Sequence, residues 1–227
     1  MKVYDCFTFF NELDMLDIRL HELNDIVDIF VISEWSYTHS GIPREFVLEK
    51  HLDKFSKFAS KIRYLKITTP PVENESWTNE RFQRKCLEQG LYDVEDNDIV
   101  MVSDLDEIPY PETVREACTK TVFPQIVDAD QYYYNFATRT NTINHPDVFI
   151  TSIVDGKTLK TGNVVINPQL TIPMANPSDM RAVSWNIGYA YVESGRTPLH
   201  WAYKHILHGG WHLTYFTKPE NIVGKLK

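Results

Sequence analysis

Three carboxylates within four residues, Asp104, Asp106 and Glu107, directly follow the unbroken apolar run Ile99 to Val102. Asp104 and Asp106 are two residues apart, so in an extended chain they project to the same side and can approach one cation together. Two neighbouring carboxylates repel unless a positive charge compensates them. No lysine or arginine stands nearer in sequence than Arg115. A hard divalent ion, Mn2+ or Mg2+, is the counter-charge this pattern predicts, sharing its oxygen ligands with the phosphates of a substrate. An isolated Asp-x-Asp is also a common turn cap. Its place after a buried strand, with Pro109 and Pro111 setting the exit, favours a metal–diphosphate site, because ligands of open α/β sheets bind at the carboxyl ends of strands.

The elements that must position this cluster alternate in type. Val3 to Phe10, Ile26 to Ser33, Arg63 to Ile67 and Ile99 to Val102 read as strands, rich in β-branched and aromatic residues. Between them, Leu13, Leu16, Leu20 and Leu23 form one helical stripe opened by Asn11 as cap. Leu52, Phe55, Phe58 and Ile62 form a second, and Trp77 to Leu91 a third. Strand–helix alternation of this kind predicts an α/β fold with a Rossmann-like, mostly parallel central sheet flanked by helices. The second half is less regular. Val148 to Val154 followed by Asp155-Gly156 reads as a hairpin with a type I′ turn, with a further strand over Gly162 to Ile166. A short helix is expected from Ser178 or Asp179, a strand over Leu213 to Phe216, and a capped helix after Thr217.

The chain has 227 residues, with 23 Lys+Arg against 31 Asp+Glu and a formal charge of -8. That balance and the lack of a basic stripe exclude nucleic acid as the expected partner. The apolar runs are strand-sized, which predicts no membrane span, and Met1 to Cys6 does not read as a signal peptide. Cys6, Cys86 and Cys118 are odd in number and widely spaced, as expected of reduced thiols in a cytoplasmic protein. With no repeats and no linker-like segment, the expectation is a single domain over 1–227. Its nucleotide-binding half would cover about 1–125 and its acceptor-side half about 126–227.

The stretch Asn11-Glu12-Leu13-Asp14-Met15-Leu16-Asp17-Ile18-Arg19-Leu20-His21-Glu22-Leu23 is followed by Phe30-Val31-Ile32-Ser33-Glu34. Then come Ser103-Asp104-Leu105-Asp106-Glu107-Ile108-Pro109 and Gly210-Trp211-His212. In this order the segments resemble glycosyltransferase family 17, a family that includes N-acetylglucosaminyltransferases. The resemblance implies a GT-A type glycosyltransferase fold and a UDP-sugar donor, UDP-N-acetylglucosamine foremost. It also implies a divalent metal held on the donor diphosphate by Asp104 and Asp106, a glycan hydroxyl as acceptor, and inversion at the anomeric carbon. In such a fold His212 is a candidate third metal ligand, and the glycines before it allow backbone to come close to a ligand.

On the same resemblance Arg81 and Arg84 are candidates for diphosphate or uridine oxygens, or form a solvated basic face. Glu12, Asp14 and Glu34 stand where a nucleoside would sit, Asp14 also serving as a helix-dipole partner. Trp211 either stacks on a sugar or packs in the core. Inversion needs a base for the acceptor hydroxyl, and Asp179 and Glu193 are the candidates. Tyr132, Tyr133, Tyr134 and Phe136 form an acceptor platform or simply alternate in a strand. Two rival functions are a metal-dependent nucleotidyl- or phosphotransferase, which needs further acidic ligands on neighbouring strands, and a non-catalytic sugar-binding protein.

Overall fold

A computed structural model describes residues 1–71, 75–121, 123–133, 137, 149–167, 170–173, 176–182, 204–206 and 209–214. The first strand, β1 (Val3–Phe9), leads into helix α1 (Leu13–Leu23) and then β2 (Ile29–Trp35). A run of 3-10 turns over Glu49–Phe58 precedes β3 (Ile62–Ile67). Helix α2 (Ser76–Lys85) passes into a 3-10 turn at Cys86–Gly90, and β4 (Ile99–Val102) comes next. Strands β3, β2, β1 and β4 lie side by side and run parallel, as the alternation predicts.

The chain then makes the short strand β5 (Glu107–Pro109), helix α3 (Pro111–Ala117), and strands β6 (Gln125–Asp128) and β7 (Asp130–Tyr133). Next come β8 (Phe149–Asp155), helix α4 (Gly156–Thr161), β9 (Asn163–Asn167) and β10 (Leu170–Pro173). Residues 177–182 are helical, α5, and β11 (Lys204–Ile206) and β12 (Gly210–Thr214) close the order. The main sheet has seven strands in the order β11-β6-β8-β4-β1-β2-β3. Strand β8 runs antiparallel to both β4 and β6, so the second half of the sequence completes the sheet begun by the first. A three-stranded sheet, β5-β12-β7, stands apart from it.

Alternation along β1 divides the core between two faces. Val3, Phe7 and Phe9 pack with Leu16, Leu20 and Leu23 of α1, whereas Tyr4 and Cys6 pack with Leu87, Val100 and Val102. The leucine stripe is therefore core, as its spacing predicts.

The Asp155-Gly156 hairpin is not formed. Asp155 caps α4 instead, its carboxylate accepting the Thr158 amide at 2.8 Å, and β8 pairs with β4 and β6 rather than with β9. Asp-Gly suits a type I′ turn and a helix start alike, and the two are told apart only by the partner that the strand finds. The predicted helix over Trp77 to Leu91 tightens into 3-10 geometry at Cys86; of the stripe before it, Leu52, Phe55 and Phe58 lie in 3-10 turns and Ile62 opens β3 instead. The expected helix after Thr217 lies outside the described residues.

An ion cluster ties β1, β3 and the segment before β4 together at the amino-terminal side of the sheet. Asp93 accepts from Arg63 at 2.8 Å, from the Tyr4 hydroxyl at 3.1 Å and from Lys2 at 3.3 Å. The Arg63 hydrogen bond is the main reason that its pKa lies well below the ordinary value of 3.8. A carboxylate with a depressed folded pKa stabilises the fold above its unfolded pKa, and that contribution is lost as the pH falls through the folded value. Asp93→Asn is therefore expected to lower the urea midpoint at about pH 7 and to narrow the wild-type difference between about pH 7 and pH 3. Identical midpoints for the two proteins at both pH values would count against it.

Candidate active site

Strand order 3-2-1-4 makes β1 and β4 neighbours whose crossovers leave in opposite directions, and an open parallel sheet offers its ligand crevice at the carboxyl ends of such a pair. Asp104 and Asp106 sit at the end of β4. The chain does not stay extended there: the Glu107 amide donates to the Asp104 carbonyl at 3.1 Å, closing a turn. Ser103, Leu105 and Glu107 are nonetheless buried while Asp104 and Asp106 are half-buried, so the two aspartates still share the accessible side.

The turn is gripped from below. Arg19, on α1 and wholly buried, forms a two-pronged pair with Asp5 of β1, at 2.8 Å and 2.7 Å. The same guanidinium donates to the carbonyls of Asp104 at 2.8 Å, Leu105 at 3.2 Å and Glu107 at 2.8 Å, and to the Ser103 hydroxyl at 2.7 Å. Sequence reasoning does not single out Arg19. The signal was present: Arg19 is three residues after Leu16 and four before Leu23, a core position, and Asp5 shares its strand face with Val3 and Phe7.

Two further arginines meet the carboxylates. Arg84 of α2 donates to Asp104 and pairs with Glu80 at 2.8 Å. Arg181 of α5 donates to Glu107 and, at 3.3 Å, to the second oxygen of Asp104. Burial by itself raises the pKa of Asp104, but Arg84 and Arg181 more than offset it and hold the carboxyl well below its usual range. Glu107 is pushed up to about 7, chiefly by burial, with Arg181 opposing and Asp104 adding to the rise. Its carboxylate also accepts the Asp104 amide at 2.8 Å. Positive charge therefore also reaches the cluster from residues remote in sequence, Arg84 and Arg181, beside the divalent ion that the spacing of the acids predicts. Sequence distance to Arg115 says nothing about which helices pack over the strand end.

His212 arrives from β12, whose pairing with β5 sets it opposite Glu107, and the Leu213 amide donates to the Asp106 carbonyl at 2.8 Å. The His212 Nδ1 is buried and has no hydrogen-bond partner among the described residues. The glycine before Trp211 serves the fold and not a ligand: a Cβ on Gly210 would lie 2.4 Å from the Ile108 carbonyl oxygen. Trp211 is half-buried and packs edge-on against Tyr110, ring centroids 5.0 Å apart, so its core reading holds in part.

Arg81 is exposed on α2, apart from the buried Arg84. Glu12 stands at the start of α1, where Asn11 was expected as cap, and accepts the amides of Phe10 and Asn11 at 3.3 Å and 3.0 Å. Asp14 is exposed in the first turn. Glu34 is wholly buried. Arg44 and the Val47 amide fill one of its oxygens and the Leu48 amide and the Tyr64 hydroxyl the other, leaving no face for a nucleoside. Asp179, on α5 two residues before Arg181, accepts from Asn176 at 2.7 Å. Glu193, Tyr134 and Phe136 lie outside the described residues. Tyr132 packs against the core and Tyr133 accepts from Gln131 at 3.1 Å, so their strand accounts for both.

The acids of the neighbouring strands, Asp5 and Glu34, are both consumed by protein donors. The extra metal ligands that a two-metal phosphotransferase requires are not offered by β1 or β2. Among the described residues no three His, Cys, Asp or Glu side chains are gathered into a ready cation cage. Mn2+ and Mg2+ on a diphosphate keep waters and substrate oxygens and need few protein ligands. The His212 Nδ1, without a hydrogen-bond partner among the described residues, and the half-buried Asp106 carboxylate suit such an ion in donor type. Asp104 suits it once a guanidinium has given way.

A parallel half-sheet ending in an acidic turn, with a late histidine strand brought against it, defines a GT-A-like glycosyltransferase fold. The mannosyltransferase PcManGT from Pyrobaculum calidifontis, solved with GDP-Man and Mn2+, has a similar fold. It superposes with a TM-score of 0.50 over 99% of this chain and 60% of that one, at 10% identity. The sequence profile of glycosyltransferase family 17 matches residues 1–145, and the chain belongs to that family. It is 25% identical, over 99% of its length, to the β-1,4-mannosyl-glycoprotein 4-β-N-acetylglucosaminyltransferases of Rattus norvegicus and Homo sapiens. It spans 42% of the length of those relatives. Among the described residues no helix is long and apolar enough to cross a membrane.

Proposed function

We propose that this chain is a metal-dependent, inverting glycosyltransferase that moves N-acetylglucosamine from UDP-N-acetylglucosamine to a glycan hydroxyl. The observation that carries the reading is the acidic turn at the carboxyl end of β4, set against the imidazole of His212. The names of the rat and human relatives favour the N-acetylglucosaminyl group, and the Mn2+ and nucleotide sugar of the Pyrobaculum calidifontis enzyme favour a metal-held donor.

Asp104, Asp106 and His212 would hold the ion, which supplies charge neutralisation on the departing nucleoside diphosphate. The chain's own part is positional and electrostatic. Arg84 stands beside Asp104 and presents a planar guanidinium fork suited to phosphate oxygens. The Trp211 ring, half-buried and held edge-on by Tyr110, offers an apolar surface to a sugar. Glu12, at the start of α1, and the exposed Arg81 of α2 are the further residues proposed to contact the donor. A single displacement leaves one proton to remove from the acceptor hydroxyl, and Asp179 and Glu193 are the carboxylates proposed to take it.

In calorimetry UDP is expected to bind at least about tenfold more tightly with Mn2+ than with EDTA, a difference of about 1.4 kcal/mol. Asp106→Ala is expected to abolish that difference. Equal UDP affinity in the two conditions would overturn the metal–diphosphate assignment. A donor screen scored by slow hydrolysis tests the sugar, and consumption of a GDP- or CDP-sugar alone would overturn the N-acetylglucosamine claim.

A further inference from the structure

We propose that Arg19, anchored by Asp5, is a positioning residue that shapes the acidic turn for its ligand. Three carbonyls of one turn converge on a single buried nitrogen, the Nη1 of Arg19: those of Asp104, Leu105 and Glu107. An Nη1 has only two hydrogens, so this is a shared, geometry-dependent contact that requires the three peptide planes to face inward. With the carbonyls of Asp104, Leu105 and Glu107 held on Arg19, the turn keeps the side chains of Asp104 and Asp106 on its accessible side.

The neighbouring contacts converge on the same guanidinium. The Ser103 hydroxyl is used twice over, accepting from Arg19 at 2.7 Å and donating to the Glu107 carbonyl at 3.2 Å, and so ties the two ends of the turn together. The Leu213 amide on the Asp106 carbonyl then attaches β12, and with it His212, to the turn that Arg19 holds. Asp5 fixes the guanidinium in turn, taking Nε and Nη2 on its two oxygens, while the Phe7 ring lies 4.5 Å from the guanidinium carbon. The fork is thereby locked at one end and free to direct Nη1 at the turn. Arg19 and Asp5 are wholly buried, so neither touches a ligand; their effect passes through the turn.

The proposal rests on the donor reading only for its ligand measurement, and a second measurement is independent of it. Arg19→Lys keeps a buried positive charge against Asp5 but has a single ammonium in place of the fork. The double variant Asp5→Asn, Arg19→Gln removes both charges together, so no uncompensated charge is left inside. Leu20→Ala, which opens a cavity on the same helix without removing a hydrogen bond of the turn, is the control for lost stability. Hydrogen exchange at the Asp104, Glu107 and Leu213 amides reports the turn directly, because all three are hydrogen-bonded in it or to it.

Exchange at these amides is expected to be at least about tenfold faster in folded Arg19→Lys and in the double variant than in Leu20→Ala, and UDP with Mn2+ to bind at least about tenfold more weakly. Unchanged turn exchange in either folded Arg19 variant would overturn the proposal. So would turn exchange accelerated no more than in Leu20→Ala. Should the wild-type chain bind no UDP, the donor reading fails, and the exchange measurement still decides the role of Arg19.

Discussion

Glu34→Ala is expected to lower the stability of the folded chain by about 3–5 kcal/mol, the cost of stripping one partner from a buried ion pair. Glu34 is fully buried and its two oxygens take four donors: Arg44 at 2.9 Å, the Val47 amide at 2.6 Å, the Leu48 amide at 3.0 Å and the Tyr64 hydroxyl at 2.6 Å. Removing the carboxylate leaves the nearly buried Arg44 charge without its acid and two amides without an acceptor. Arg44 also donates to the carbonyls of Trp35 and Phe10, so the loop after β2 and the end of β1 loosen together. Glu34→Gln keeps the shape and one good acceptor, and is expected to lose about 1–3 kcal/mol. Urea unfolding monitored by tryptophan fluorescence checks both. Folded Glu34→Gln is expected to bind UDP within about twofold of wild type, an affinity change below about 0.5 kcal/mol. A tenfold loss in the folded variant would return Glu34 to the donor site.

Gly210→Ala acts on the site itself. The added methyl would stand 2.4 Å from the Ile108 carbonyl oxygen and 2.7 Å from the Pro109 Cα, and both are backbone atoms that cannot rotate aside. Relief requires β12 to part from β5. Overpacking of this kind costs about 1–3 kcal/mol, and more where backbone must shift. For a chain of this size each kcal/mol lowers the melting temperature by about 2–4 °C. The functional loss should exceed the stability loss, because the same pairing sets His212 opposite Glu107 and brings the Leu213 amide to Asp106. Mn2+-dependent UDP binding is expected to fall at least about tenfold while the protein remains folded at room temperature. Full retention of that binding would separate His212 from the metal site.

These two residues show where sequence reading and tertiary structure part. Glu34 after an apolar strand looks available to a nucleoside, and the Gly-Gly before Trp211 looks like room for a ligand. In both cases the partner is the protein's own backbone or side chains, supplied by segments that the sequence separates. Asp155-Gly156 failed in the same way, since a turn and a helix cap share their chemistry and only the pairing of β8 distinguishes them.

What the sequence determined by itself was whatever is local or periodic. The existence and parallel character of the first strands come from strand–helix alternation and from apolar runs of the right length. The leucine face of α1 comes from its 3.6-residue period, and the acidic cluster at the end of β4 from the abrupt change after Val102. What only the tertiary structure decided was the company those acids keep. Charge compensation depends on distance in space, and three helices packed on the sheet bring Arg19, Arg84 and Arg181 to a turn that has no cation near it in the sequence. The placement of His212 was equally beyond local reasoning. It depends on a β12–β5 pairing across about one hundred residues, and a long-range register is set by backbone fit at positions such as Gly210 rather than by any pattern within the strand.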